Sequence, residues 1–386
     1  MSTKNKSNSN ELALIFDIGS GSVGSAFTHL GSSPKVLESA RVEIKKSDEN
    51  DFDKFLSETN KALQKVADMI HQKRPPMPSR IQVSLASPWI ASQARIIKYS
   101  QKSFFFFTEK FLSELIAKEV SNFEDEISNN YGKKGNKMFL IERSTQAVKL
   151  NGYHTSLPFG KKARTCEVKI LLSIAPKKIL DLFEYTIKKF FHQKVHFSSF
   201  SLASFISARE VAKDKENFIL VDIAGEMTDI ALVKDYVIME TISFPIGKNF
   251  LISSIELALG KGALAAETVF HMHLENKLHK HDYARVEKIV LEARNKWLSF
   301  FSEKVSSFSG DLPLPHDVYI TTDADTEKIF KQAILSEEFA QHFLSEKKFN
   351  VIILNNKSIG RLCRFTEAKH DVFLAIISVF ISKLEE

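Results

Sequence analysis

The chain carries the same short pattern twice, about two hundred residues apart. Leu12-Ala13-Leu14-Ile15-Phe16 runs into Asp17-Ile18-Gly19-Ser20-Gly21-Ser22. Phe218-Ile219-Leu220-Val221 runs into Asp222-Ile223-Ala224-Gly225-Glu226-Met227-Thr228-Asp229. An apolar strand ending in a carboxylate and a tight turn of small residues gathers backbone N–H groups where phosphate oxygens can be held. Two copies in one chain point to two facing halves around one nucleotide. Only 14 glycines occur in 386 residues, so those inside the turns carry more information than they would in a loop-rich chain.

That length exceeds one hydrophobic core and predicts two or more domains. The net charge of +6 is spread along the chain without a dense basic block, which argues against nucleic acid as the partner. Cys166 and Cys363 lie far apart and form neither a metal-ligand pattern nor a disulfide framework, which fits a reducing compartment. The polar first ten residues lack the apolar core of a signal peptide and are expected to be a disordered tail. The apolar run 372–381 is too short to span a bilayer, and a cytosolic protein is expected.

After the first Asp turn, strands are expected at 23–30 and 36–44, an amphipathic helix over 51–73, and a strand at 80–85 after Pro75-Pro76-Met77-Pro78. The segment 88–174 changes texture. Strand material at 95–99 and 103–107, a helix through Glu126, a Lys-rich loop at 131–137, and strands at 138–144, 146–150 and 166–174 describe a small α+β insert. Phe104 to Phe107 read as a strand buried on two sides, with an association edge as the alternative. A helix over 176–191 leads to the second Asp turn, with strands at 218–221, 229–234 and 237–244. Mostly helical sequence over 263–308, a Pro-containing connection at 311–315, a strand from Val318, a helix at 326–345, a strand at 350–354 and a closing helix at 371–384 complete the chain.

This repeated plan resembles the actin, sugar-kinase and DnaK-type chaperone superfamily, and within it the bacterial FtsA cell-division and PilM type IV pilus assembly families. Three features carry the narrower likeness. Asp222 to Leu232 followed by Phe244-Pro245-Ile246-Gly247 resembles their second phosphate loop and the Pro-x-Gly after it. The insert lies where they place a strand-helix-strand-strand (SHS2) domain, with Val148 to Tyr153 and Leu157 to Gly160 similar to a stretch of FtsA. Leu202-Ala203-Ser204 is similar to their connecting helix. The resemblance implies an α/β, actin-like fold of two duplicated half-domains: 11–87 with 175–214, and 215–262 with 316–386. The association domain inserts at 88–174, and a helical subdomain lies at 263–315. It also implies ATP with Mg²⁺, bound by Asp17, Gly19, Ser20, Gly21, Ser22, Asp222, Gly225, Thr228 and Gly247, with Asp17 and Asp222 holding Mg²⁺ through water.

Departures from the pattern are equally legible. Ala224 replaces a glycine of the second loop. Glu226 adds a carboxylate that either repels Asp222 or orients a hydrolytic water. The turn Thr321-Thr322-Asp323-Ala324-Asp325 lacks the glycines of the family's adenosine motif, and Phe270 follows Glu267 where a lysine is usual. His271, His273, His279 and His281 are spaced so that one ion cannot collect them, because eight helical residues rise about 12 Å. They read as a solvated polar helix. The last residues, Lys383 to Glu386, are acidic and follow the core helix directly, so no lipid-binding helix is expected there.

The function the resemblance implies is a cytosolic scaffold that self-associates or recruits a membrane-protein partner, FtsZ-like or a PilN-like tail, at the inner face of the membrane. Closure of its halves would be biased by ATP. The alternatives are an active ATPase of the chaperone or kinase class, at most weakly hydrolytic here, and a nucleotide-free structural module.

Overall fold

The computed structural model describes residues 11–45, 51–74, 76–131, 137–308, 314–336, 339, 349–366 and 368–384. The expected tail at 1–10, most of the loop at 131–137, much of the connection at 311–315 and the later part of the helix expected at 326–345 lie outside the described residues.

The duplication read from the sequence is a duplicated sheet. In the first half, β1 (Leu12–Ile18), β2 (Ser22–His29) and β3 (Lys35–Glu43) form an antiparallel meander. Strand β4 (Arg80–Leu85) pairs parallel to β1, and β9 (Val195–Ser199) pairs parallel to β4. In the second, β10 (Phe218–Ile223), β11 (Thr228–Lys234) and β12 (Val237–Phe244) repeat the meander. Strand β13 (Asp317–Thr322) runs parallel to β10, and β14 (Asn350–Ile353) parallel to β13. Helices α1 (Phe52–His71) and α3 (Lys177–Lys188) cover the outer face of the first sheet. Helix α1 starts at an Asp51 N-cap and buries Leu56, Leu63, Val66 and Ile70, the stripe its spacing predicts.

On the second sheet, α5 (Asn249–Leu259), α6 (Ala263–Leu274), α7 (Lys280–Ser306) and α8 (Glu327–Ile334) form the outer layer. Phe270 and Trp297 share one core with Val221 and Ile320, so the helices expected as a subdomain at 263–315 have no separate core of their own. Between the sheets lie α4 (Phe200–Ala212) and the closing helix α10 (Val372–Leu384), which follows the short α9 (Asn356–Ile359). Helix α10 is apolar nearly all round because it is buried nearly all round.

The end of the chain departs from the expected division, which placed 316–386 in the second half. Strand β15 (Arg364–Phe365) pairs parallel to β3, and α10 packs on β1, β2 and α4. The chain therefore returns to the first half and ties the two together.

The insert is a sheet of order β5-β8-β6-β7, built from β5 (Ala91–Phe106), β6 (Met138–Leu150), β7 (Tyr153–His154) and β8 (Lys162–Pro176). Helix α2 (Glu109–Tyr131) covers one face. Two expected breaks are absent. The run 91–106 is one strand with an irregularity between Ser100 and Phe105, and 138–150 is one strand with irregularities at Leu140/Glu142 and Thr145/Ala147. Phe107 is buried, while Phe104 and Phe106 are exposed, so two-sided burial fails for half of the phenylalanine run.

Candidate functional site

Strand parity decides where the two turn aspartates point. In β1, Leu12, Leu14, Phe16 and Ile18 join the outer core while Ala13 and Ile15 face the layer between the sheets; Asp17 shares the inner parity. In β10, Ile219, Val221 and Ile223 go outward, Phe218 and Leu220 inward, and Asp222 follows them. The duplicated fold thus aims both carboxylates at one interior cleft, with 3% and 6% of their surface exposed.

Each turn first closes on itself: Gly19 N donates to Ser22 O at 3.1 Å, and Ala224 N to Met227 O at 3.0 Å. The turns then meet. Glu226 N donates to Ser20 Oγ at 2.9 Å, and a Cβ placed on Gly225 would fall 2.4 Å from Gly21 Cα. Only glycine allows this backbone contact, and no phosphate fits between the two residues. Following Gly247, Lys248 N and Asn249 N donate to the carbonyls of Ala224 and Gly225, so the start of α5 holds the second turn from behind. Thr228 Oγ1 donates to Ile246 O at 2.6 Å and accepts from Trp297 Nε1 at 3.0 Å, which makes it a structural tie between β11 and α7.

Arg41, which sequence reasoning missed, fills the first half's phosphate end. Its guanidinium donates to Asp17 Oδ2 at 2.8 Å and Ser22 Oγ at 2.8 Å. It also makes a bidentate pair with Asp371, at 2.6 and 3.0 Å, just ahead of α10. Gly24 is its partner across β2 and β3, and a Cβ there would lie 2.5 Å from Arg41 Nη2. The signal was a glycine inside a strand, a mark of close approach. On the second half, Lys248 Nζ meets Asp323 Oδ2 at 2.5 Å, in the turn that lacks the adenosine-motif glycines.

Burial pushes the Asp17 carboxyl up to about 6; Arg41 opposes that rise, and Asp371 and Asp323 add to it. Asp222 is held well above the usual carboxylate range, first by burial and then by Asp229, Asp17 and Asp323. Its Oδ1 has no hydrogen-bond partner among the described residues. The crowding carboxylate is Asp229, which faces Asp222 in the β10/β11 register, and not Glu226 as expected. Glu226 Oε1 instead accepts from Asn249 Nδ2 at 2.8 Å, engaged at the start of α5. Behind the turns, Asp222 and Asp229 line a cavity of about 450 Å³ with Ser87, Ser92, Ser204 and Ser243.

The turns, Arg41 and Lys248 are fitted to their protein partners more than to a nucleoside triphosphate, whereas Asp222 Oδ1, buried among carboxylates without a partner among the described residues, leaves a place that a cation fits. Arg41 and Lys248 are already paired with Asp17, Asp371 and Asp323, and the turns touch where phosphate would pass. Among the described residues, no group of three His, Cys, Asp or Glu side chains converges to hold a metal ion. That includes the histidines of α6 and α7, although His273 departs from the solvated reading: it is buried, 3.0 Å from Glu287 and packed on Tyr283.

Two facing α/β halves, each with a meander and an Asp turn, around a helix-filled interior define the actin-like ATPase fold. No protein-family model matches the chain, and no curated protein sequence matches it. Among solved structures, it is similar to a PilM–PilN type IV pilus biogenesis complex, with a TM-score of 0.63 at 11% identity over 97% of this chain and 98% of that one. It also matches the ethanolamine utilization protein EutJ from Carboxydothermus hydrogenoformans, with a TM-score of 0.45 at 13% identity over 98% and 92% of the two chains. A Bacteroides thetaiotaomicron protein of actin-like ATPase fold and unknown function gives 0.41 at 10% identity over 98% and 99%. The resemblance read from the sequence is thus matched at the level of fold, and it is PilM-like.

Proposed function

We propose that this chain is a PilM-like assembly scaffold that works at the inner face of the cytoplasmic membrane and recruits the tail of a PilN-like membrane-protein partner. The observation that carries the reading is the full-length likeness to the PilM–PilN complex, which spans both halves and the insert. Type IV pilus assembly is favoured over cell division on the same ground.

In this reading the halves stay closed without nucleotide. The Ser20–Glu226 and Gly21–Gly225 contacts seal the turns against each other, and Arg41, paired with Asp17 and Asp371, fills the first half's phosphate end. Arg41 and Lys248, cations that could meet phosphate, are paired with Asp17, Asp371 and Asp323. The protein is then a non-catalytic body whose insert is held in a fixed place for its partner.

Titrating the full chain with a fluorescent ATP analogue and Mg²⁺, beside Asp17→Ala and Asp222→Ala, tests the nucleotide-free part. Equally negligible binding by all three is expected, and micromolar binding lost in both variants would overturn it. Recruitment is tested with synthetic cytoplasmic tails of membrane proteins encoded beside its gene. Binding to one tail, unchanged by ATP and Mg²⁺, is expected; binding to none sinks the scaffold reading.

A further inference from the structure

The insert sheet has one covered face and one exposed end. Strands β5 and β6 end, and β8 begins, at the end remote from Ala91, Met138 and Pro176, where the insert joins the body. At that tip, Phe106 is the register partner of Lys162. Phe107 N donates to Lys161 O at 2.9 Å, and Gly160 N to Phe107 O at 2.8 Å, so the segments 104–107 and 157–162 lie side by side.

Large apolar side chains project from this tip into solvent. Phe104 is 58% exposed, Phe106 56%, Leu157 76% and Phe159 48%. Cations accompany them: Arg164 lies over the Phe104 ring at 4.4 Å, and Lys162 over the Phe106 ring at 5.3 Å. The two tip segments, 100–108 and 151–164, contain Lys102, Lys161, Lys162 and Arg164 and no Asp or Glu. Phe104 and Phe106 share a strand parity opposite to that of buried Phe107, on which Phe159 stacks, so exposed apolar side chains flank the tip on both sides.

We propose that the insert tip docks directly on an anionic lipid surface, with Phe104, Phe106, Leu157 and Phe159 entering the headgroup boundary while the four cations meet lipid phosphates. Charge complementarity selects an anionic occupant. The shape selects lipid over an acidic peptide: the apolar side chains flank both sides of the tip instead of lining one slot, and a fluid interface accommodates such a wedge without directional partners. Aromatic rings flanked by Lys and Arg favour that interface. The contact is separate from the proposed tail recruitment and does not depend on it. It also differs from the sequence expectation of membrane attachment through partners alone.

The test is co-sedimentation of the full chain with vesicles of phosphatidylglycerol and phosphatidylethanolamine, against vesicles of phosphatidylcholine alone. Binding to the anionic vesicles only, weakened by salt, is expected. Each cation removed should weaken it about fivefold, so Lys161→Glu with Lys162→Glu should lose at least about twenty-five-fold. Phe106→Ser with Leu157→Ser should release the protein even at low salt, with an unchanged thermal melt. In Leu157→Trp the indole emission should shift to the blue when anionic vesicles are added. Failure to bind anionic vesicles, binding that the tip variants leave unchanged, or a lipid-free, tip-dependent dimer would each overturn the proposal.

Discussion

Arg41 concentrates the energetics of the cleft in one side chain. Its planar fork reaches Asp17, Ser22 and Asp371 at once, a geometry that lysine's single ammonium cannot reproduce. Removing it leaves two carboxylates near each other with no cation, and breaking a largely buried pair of this kind costs about 3–5 kcal/mol. Arg41→Ala should therefore lower stability by that amount in urea denaturation, and Arg41→Lys should recover less than half. Little of this was legible in the sequence. Asp17 and Asp222 stood out because an apolar run, a carboxylate and a small-residue turn form a local pattern. Arg41 and Asp371 are 330 residues apart and meet only through the fold. Glu226 was misread for the same reason: adjacency to Asp222 in sequence suggested repulsion, whereas its partner, Asn249, comes from another element.

At the scale of elements, the root of the insert carries a charge that the sequence did not mark. Glu142 of β6 accepts from Ser173 Oγ at 3.1 Å and from the hydroxyl of Ser199, the residue that also caps α4 by accepting from Leu202 N. Burial pushes the Glu142 carboxyl up to about 7, with the serine hydrogen bonds opposing the rise. Its ordinary value is 4.5, so the folded protein holds this proton more tightly than the unfolded chain does. Stability from this group is then complete below about pH 4.5 and falls as pH rises through 7, by about 2 kcal/mol once its residual exposure is allowed for. Glu142→Gln should flatten the stability profile between pH 5 and 8, measured by denaturant midpoints at several pH values. An unchanged slope would remove Glu142 as its source. The elements themselves were mostly readable, because hydrophobic periodicity is local. The two long insert strands were read as four because polar residues at Ser100 to Ser103 and around Thr145 resemble turns, while bulges let a strand pass through them.

At the scale of the molecule, the duplication was legible from two short motifs, and the order of each half-sheet follows from it. The return of β15 and α10 to the first half was not, since an all-apolar helix such as α10 says that it is buried but not against which sheet. That return fastens the last helix to the first half, where Asp371 at its head locks onto Arg41, while the Ser20–Glu226 and Gly21–Gly225 contacts join the two halves. Closure is then a property of the chain alone. Spin labels at Lys65→Cys on α1 and Leu257→Cys on α5 would read the separation of the halves by pulsed electron paramagnetic resonance. Both sites are exposed, and the native Cys166 and Cys363 are buried. The expected result is one short distance that ATP with Mg²⁺ leaves unchanged and that Gly225→Val, which forces the two turns apart, lengthens or broadens; a distance that shortens only when ATP and Mg²⁺ are added would contradict it.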